Sequence, residues 1–186
     1  MPPFLVLIFY AAVAALVTLN ALLIATVFSS SFRLWPTPPR RGWQHYTFWP
    51  LFRGGLSLTL LYATLTAHWP QLGFETLQFV AGLLCLIAGF SVTIYGYFDL
   101  GLENTYGADA GLVTKGLYRY SRNPQYVASI IGYFGTALAN GGLNTAILCG
   151  LAILVYVIMP FTEEPWLQRA YGDVYLAYKN RTPRFL

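Results

Sequence analysis

The sequence predicts an all-α, polytopic membrane protein: a single transmembrane domain, residues 1–186, with about five transmembrane helices and a C-terminal interfacial helix. Three observations lead to this fold class. Hydrophobic residues make up 56% of the chain and charged residues only 10%, whereas a soluble domain carries about 25% charged residues. The apolar residues fall into five long runs, and the cations concentrate outside those runs. The length is that of one domain.

Each apolar run predicts one transmembrane helix, because about 20 apolar residues span a bilayer and about 17 are the minimum. The start Met1-Pro2-Pro3 carries no cation, so we expect the first run to be a retained helix and not a cleaved signal peptide. The turn Asn140-Gly141-Gly142 joins the last two runs as a hairpin. The runs are Phe4–Phe28, about Trp49–Trp69, Phe74–Phe98, Pro124–Ala139 (barely long enough) and Leu143–Phe161.

The distribution of cations predicts the orientation in the membrane. The linker Ser29–Thr47 carries three, the loop Asp99–Asn123 three and the tail after Phe161 four, which places ten of the eleven on one side if five helices alternate. The positive-inside tendency puts this side in the cytoplasm and the N-terminus outside. The membrane would be a bacterial inner membrane, or the endoplasmic reticulum in a eukaryote. The eleventh cation, Arg53, is expected to reach the interface, the alternative being a role facing the site.

Prolines and small residues predict details of the C-terminal half. Pro160 should end or kink the fifth helix, and Pro165 should begin a tail helix, Trp166–Tyr178. That tail helix would bury one face. Ala128, Gly132 and Thr136 on the fourth helix, with Ala146 and Gly150 on the fifth, permit close helix approach and are expected to pack the hairpin. The members of the buried tail face are Leu167, Ala170, Tyr171, Val174 and Tyr178.

Several classes of site are not expected. Cys85 and Cys149 lie inside apolar runs and have no metal-binding spacing, so neither chemistry nor a metal is assigned to them. His45 and His68 lie at opposite predicted faces, which makes histidine catalysis improbable. No basic run alternates with exposed aromatic residues, so no nucleic-acid partner is expected. The oligomeric state is open.

Two polar segments carry the candidate site: Gly111–Tyr126 and Thr162–Glu164. Asn123-Pro124 is a helix-start signal, and the start of a helix can also bind an anion, which Arg119 and Arg122 would favour. The alternative is that these arginines contact lipid headgroups. Carboxylates at the end of an apolar helix are functional candidates. Glu163 and Glu164 could pair the arginines structurally, or hold a cation or a polar cofactor.

The C-terminal half, Leu100–Leu186, resembles a known family. The segments LVTKGLYRYSRNPQY and EEPWLQRAYGDVYLAYKNRTPRFL, separated by a helical hairpin, resemble the integral-membrane methyltransferases related to isoprenylcysteine carboxyl methyltransferase and phosphatidylethanolamine N-methyltransferase. The tail matches that family through Tyr171-Gly172, Tyr175, Tyr178 and Pro183-Arg184. Asn123 stands where the carboxyl methyltransferases have His, and Ala128 where many members have Gly.

The resemblance implies an S-adenosylmethionine-dependent methyltransferase, with residues 1–98 as lipid-facing helices and 99–186 as the cofactor-binding half. It implies catalytic roles for Arg122 and Glu164. The acceptor would be a phospholipid amine or an isoprenylcysteine-like carboxylate that enters from the bilayer. The alternatives are an NADPH-dependent membrane sterol or steroid reductase, and a non-enzymatic helical scaffold. The implied cofactor-binding residues are Val113, Gly116, Tyr118, Asn123, Pro124, Tyr126, Glu163 and Glu164.

Overall fold

A computed structural model of the chain describes residues 1–29, 31–37, 42–68, 73–101 and 111–186. The predictions that fall on Pro38, Pro39, Arg40 and Arg41 of the linker, on the end of the second run at Trp69, on the turn at Pro70, and on the middle of the 99–123 loop lie outside the described residues. The described residues form five α-helices and one 3₁₀ turn. They are α1 (Pro3–Phe28), α2 (Trp43–Leu65), α3 (Phe74–Leu100), the 3₁₀ turn Gly116–Arg119, α4 (Pro124–Asn140) and α5 (Leu143–Arg181).

The helices confirm the all-α membrane fold. Three of the described helices, α1, α3 and α5, are long and apolar enough to cross a membrane, while α4 has 17 residues. The number of five spans therefore stays a prediction. Helix α2 begins at Trp43, before its apolar run.

Helix α5 holds the bundle together, because it packs against α1, α2 and α4 while α3 packs mainly against α4. The central core is formed by fully buried side chains such as Leu16 and Leu19 of α1, Phe48 of α2 and Val155 of α5. Asn20 fixes α1 to α5, since its side-chain amide donates to the carbonyl of Leu151 at 3.1 Å. A polar bond of this kind is a common link between helices in lipid.

Glycines set the close approach of α3 and α4. A Cβ at Gly89 would lie 2.4 Å from the backbone nitrogen of Gly132, and a Cβ at Gly82 would lie 2.3 Å from the backbone nitrogen of Ala139. The expectation that Gly132 and Gly150 pack the α4–α5 hairpin was wrong. Gly132 faces Phe90 of α3, and a Cβ at Gly150 would meet open space. The small-residue face of α4 was recognised, but its partner is α3.

The predicted end of the fifth helix at Pro160 and the predicted start of a tail helix at Pro165 were also wrong. The chain remains helical through both prolines, and the break lies at Gly172, whose φ of 52° and ψ of −128° are non-helical. A membrane-type helix tolerates the lost hydrogen bond when neighbouring helices pack on both sides of it, and here Met159 and Pro160 are buried. The break also changes the buried face of the tail: Val174 is exposed, and Tyr175 is buried in its place.

Both polar segments lie at the same end of the bundle. At the far end, the Asn140 side chain donates to the carbonyl of Ala63 at 2.9 Å, and the Asn144 side chain donates to the Tyr62 hydroxyl. At the near end, Trp35 contacts Glu163. Segments 31–37 and 111–123 and the chain terminus after Arg181 therefore meet around the starts of α2 and α4.

Candidate functional site

A cavity of about 380 Å³ opens at this near end, within the volume range of small-molecule sites. Its walls come from Trp35-Pro36, from α2, α3, α4 and α5, and from the segments around Val113 and Tyr118. Polar side chains line it where α4 starts and α5 passes Glu163, and aromatic side chains line it between the helices. One cavity thus joins the polar end of the bundle to its interior.

Glu164 is the centre of an ion-pair cluster. Its carboxylate accepts two hydrogen bonds of 2.8 Å from Arg184, one to each oxygen. Its Oε1 lies 3.0 Å from Nη2 of Arg122. The Glu164 side chain is only 5% exposed and that of Arg122 is 9% exposed, so two cations offset the desolvation of one buried carboxylate. The bond to Glu164 raises the pKa of Arg184.

The C-terminal segment, Thr182–Leu186, closes over the turn that precedes α4. The backbone N–H of Arg122 donates to the carbonyl of Pro183 at 2.9 Å, and the Arg184 carbonyl accepts from Asn123 Nδ2 at 3.0 Å and Ser121 Oγ at 3.3 Å. The helix-start signal is confirmed, because Asn123 is the N-cap residue and Pro124 the first residue of α4, but the Asn123 side chain makes no cap hydrogen bond. The amide of Asn123 holds the chain terminus instead.

Glu163 faces the cavity from the neighbouring position on α5. Its Oε1 accepts hydrogen bonds from the indole Nε1 of Trp35 and from the hydroxyl of Tyr126. Trp35 lies in the proline-rich linker, 128 residues away in sequence. The two glutamates therefore differ: Glu164 is clamped by arginines, and Glu163 is held by neutral donors.

The 3₁₀ turn is fixed from both sides. Asp99 accepts a hydrogen bond of 2.7 Å from the backbone N–H of Leu117, and Tyr178 donates one of 2.6 Å to the carbonyl of Tyr118. Gly116 has a φ of +58°, and a Cβ there would lie 2.2 Å from an Asp99 oxygen, so a side chain at this position would displace the turn. Burial, together with the charge of Glu163, raises the pKa of Tyr118, which keeps its hydroxyl neutral.

Three buried polar atoms of cavity-lining residues have no hydrogen-bond partner among the residues that the structure describes: Nε of Arg122, Nε2 of Gln125 and the hydroxyl of Tyr175. Buried donors of this kind nearly always have a hydrogen-bond partner. Each buried donor left without a partner costs about 1–3 kcal/mol. All three are donors, so a ligand that presents several hydrogen-bond acceptors would satisfy them. No cluster of His, Cys, Asp and Glu suited to a metal ion occurs within the ranges that the structure describes.

Comparison with known proteins identifies the family. The family model described as phospholipid methyltransferase matches residues 77–174, more than half of the chain. The chain belongs to the phospholipid methyltransferase family. The match includes α4, the turn Arg122-Asn123 that precedes it, and the part of α5 that carries both glutamates.

Curated relatives of this phospholipid methyltransferase family member are of two kinds. A phosphatidylethanolamine N-methyltransferase of Zygosaccharomyces rouxii is 29% identical over 145 residues, which cover 70% of this chain and 17% of that protein. A protein-S-isoprenylcysteine O-methyltransferase of Homo sapiens is 29% identical over 139 residues, covering 69% of this chain and 48% of that protein. The chain therefore spans less than half the length of either relative. No solved structure matches it significantly.

The structure brings together most of the predicted site residues of this family member. Seven line the cavity, whereas Gly116 and Pro124 do not. Gly116 lies behind the wall, where it admits Asp99, and Pro124 is the first residue of α4. Arg119 lies outside the site, with its guanidinium 4.7 Å from the centre of the Tyr120 ring. The seven are Val113, Tyr118, Arg122, Asn123, Tyr126, Glu163 and Glu164.

Sequence reasoning missed three contributors. Trp35 sits among prolines and gave no signal. Gln125 lies between Pro124 and Tyr126, and only its buried amide nitrogen without a partner distinguishes it. Arg184 was noted as part of the tail pattern but was given no role, although it makes the bidentate contact with Glu164. A cation that follows a tyrosine-rich helix and a proline was the available signal for Arg184.

Proposed function

We propose that this chain is an S-adenosylmethionine-dependent methyltransferase of the membrane that acts on a lipid or isoprenoid-type acceptor. The observation that carries this proposal is the single cavity that joins the Arg122-Asn123 turn and the two glutamates to the interior of the helical bundle. Family membership supports the reaction class. The named relatives act on phosphatidylethanolamine or on isoprenylcysteine, and for this chain either acceptor is open.

The residues at the near end fit the methyl donor. S-adenosylmethionine combines a carboxylate, an ammonium group, ribose hydroxyls, a sulfonium and an adenine ring, and when bound it supplies an activated methyl group. Nε of Arg122 and the hydroxyl of Tyr175 are buried donors without a partner, as a carboxylate or ribose oxygen requires. Glu163 offers an anionic oxygen for an ammonium or hydroxyl group, and the Trp35 and Tyr126 rings offer faces that attract a cation.

The chain's own residues would act chiefly by positioning and by excluding water. Trp35 and Tyr118 are almost fully buried, and the C-terminal segment covers the turn at Arg122. Orienting two reactants in this way can lower the activation free energy by about 7–11 kcal/mol. The predicted direct role of Arg122 is supported by its unpartnered Nε. The two arginines around Glu164 support a positioning role for that carboxylate, in which it holds Arg122 and the chain terminus.

The acceptor decides whether a base is needed. A carboxylate acceptor has no proton to lose, and Arg122 could hold it. An amine acceptor must be deprotonated before it reacts, and Glu163, bound only by neutral donors, is the carboxylate best placed to receive a proton. In this proposal the acceptor enters from the bilayer between the helices, the donor enters from the cytoplasm, and the N-terminus lies outside.

The test is incubation of the purified protein with methyl-labelled S-adenosylmethionine and a total lipid extract, followed by mass identification of the labelled product. We expect one labelled lipid class, methylated on nitrogen or on a carboxylate oxygen. A parallel incubation with NADPH and sterols tests the reductase alternative. Absence of any labelled lipid, combined with absence of donor binding, would refute the proposal and leave the scaffold alternative.

A further inference from the structure

The cavity continues past the glutamates into an inner lobe between α2, α3, α4 and α5. Its wall on α4 is made by Gln125 and Ser129, one turn apart, and its wall on α3 by Thr93 and Tyr97, also one turn apart. Apolar surface comes from α2 and α5. Tyr156 and Met159 precede Glu163 on α5 by about two turns and one turn, so the α5 wall of the lobe lies deeper in the bundle than both glutamates. The seven inner-lobe residues are Phe52, Thr93, Tyr97, Gln125, Ser129, Tyr156 and Met159.

Gln125 carries the unsatisfied group of this lobe. The residue is 8% exposed, and its amide nitrogen Nε2 is buried without a hydrogen-bond partner. By contrast, the neighbouring hydroxyls of Thr93 and Ser129 lie 3.1 Å apart and bond to each other. Thr93 also donates to the carbonyl of Gly89 at 3.0 Å. Among the described residues, the wall of the lobe therefore contains one buried N–H donor without a partner, on the side of Gln125 that packs towards Gly96.

A glycine of α3 makes room for the Gln125 side chain. A Cβ at Gly96 would lie 2.4 Å from Cγ of Gln125 and 3.3 Å from its Nε2. The missing side chain at Gly96 thus gives Gln125 its place against α3. A donor that is held in place and left unpaired is typical of a site that awaits a ligand oxygen, because a partner from the ligand removes the desolvation cost.

The charges around the lobe indicate whether the ligand oxygen is anionic or neutral. None of its seven residues is acidic. Arg53 also lines the cavity, and its guanidinium lies 4.5 Å from the centre of the Trp49 ring. An N–H donor in a cavity wall that also carries a cation favours an anionic oxygen over an ammonium group. The two glutamates, which would favour a cation, lie nearer to the end of the bundle than Tyr156 and Met159 of the lobe.

We propose that the inner lobe binds the head of the methyl acceptor, and that Gln125 is the residue that recognises an anionic oxygen of that head. This inference rests on the proposed methyl transfer and deepens it. The oxygen belongs either to the carboxylate of an isoprenylcysteine-type lipid or to the phosphate of a phospholipid. Gly96 acts as a positioning residue, because it admits the Gln125 side chain.

The test measures binding of two labelled, detergent-soluble probes, S-farnesylcysteine and a short-chain phosphatidylethanolamine, to the full-length protein. S-adenosylhomocysteine binding is measured in parallel as the readout of the donor site. We expect Gln125→Glu and Gln125→Met to weaken binding of the preferred probe about tenfold or more, as loss of a hydrogen bond to a charged group requires. S-adenosylhomocysteine affinity should stay within about threefold. Gly96→Ala should reproduce the loss of probe binding.

Two controls separate this effect from general damage. Gln168→Glu makes the same charge change at an exposed position outside the cavity, and Gly150→Ala adds a methyl group where a Cβ meets open space. Both should bind each probe as the unchanged protein does. Unchanged probe binding in both Gln125 variants would overturn the proposal. So would an equal loss of S-adenosylhomocysteine, or failure of the unchanged protein to bind either probe. Gln125-dependent probe binding without methyl transfer would instead refute the proposed function and leave the inner lobe as a lipid-head site.

Discussion

Arg184→Ala removes the contact that ties the chain terminus to the candidate donor site. The substitution deletes both 2.8 Å hydrogen bonds to Glu164 and the packing of the guanidinium 4.1 Å above the Phe161 ring. It keeps the Arg184 backbone carbonyl, which accepts from Asn123 and Ser121. The effect of the side chain is thereby separated from that of the backbone.

The expected loss of free energy in Arg184→Ala depends on the solvent exposure of Arg184 and on the contacts that Glu164 keeps. Hydrogen bonds to charged groups contribute about 1.5–3 kcal/mol each. The Arg184 side chain is 31% exposed, and Glu164 keeps Arg122 as a partner, so solvent screening reduces the total to about 1–2 kcal/mol. If the donor binds only when the terminus is docked, that loss weakens donor binding about 5- to 30-fold, at about 1.4 kcal/mol per factor of ten.

The assay is calorimetric titration of S-adenosylhomocysteine into detergent-solubilised protein. Arg184→Lys keeps the charge but not the two-pronged contact, so its affinity should fall between those of Arg184→Ala and the unchanged protein. Arg169→Ala, at an exposed position of α5, is the control arginine and should bind normally. Wild-type affinity in Arg184→Ala, or an equal loss in Arg169→Ala, would refute the reasoning.

Three further perturbations test separate parts of the structure. Glu163→Gln should reduce methyl transfer at least about tenfold, because the amide cannot accept a proton. Thermal stability should change little, since Trp35 and Tyr126 can still donate to the amide oxygen. Unchanged turnover would exclude Glu163 from the site chemistry. Gly89→Ala should destabilise the α3–α4 pair by about 1–3 kcal/mol in denaturant titration, because the added methyl meets backbone, and an unchanged midpoint would contradict the close approach. Gly172→Ala should cost about 1–2 kcal/mol from its left-handed backbone, and a more stable variant would show that the chain does not break there.

The apolar runs were enough to predict most of the helical architecture. Runs of this length leave helix as the one way to satisfy the backbone inside a membrane. The Asn140-Gly141-Gly142 turn also predicted the hairpin correctly, because Gly141 adopts the left-handed conformation that ends α4. The prolines of α5 misled, since local propensity was outweighed by packing on both sides of Pro160. The glycines of α3 carried a readable signal at seven-residue spacing, Gly82, Gly89 and Gly96, which was not used.

The candidate site could be predicted only in part, because its geometry depends on contacts between distant segments. The Arg-Asn-Pro turn and the twin glutamates were recognisable as polar groups beside apolar helices. The different environments of the two glutamates were not recognisable, because Trp35 binds Glu163 and Arg184 binds Glu164. No periodicity links a proline-rich linker to a position 128 residues later. The acceptor lobe was equally hidden, because Gln125 differs from a surface glutamine only in its surroundings.

The most direct test of the central claim is equilibrium binding of S-adenosylhomocysteine to the purified protein in lipid nanodiscs, with NADPH as competitor. We expect saturable binding at one site per chain that NADPH does not displace and that a bulky substitution at the cavity wall, Tyr175→Trp, abolishes. Binding that NADPH displaces, or binding that survives the blocked cavity, would contradict the assignment of this cavity to the methyl donor.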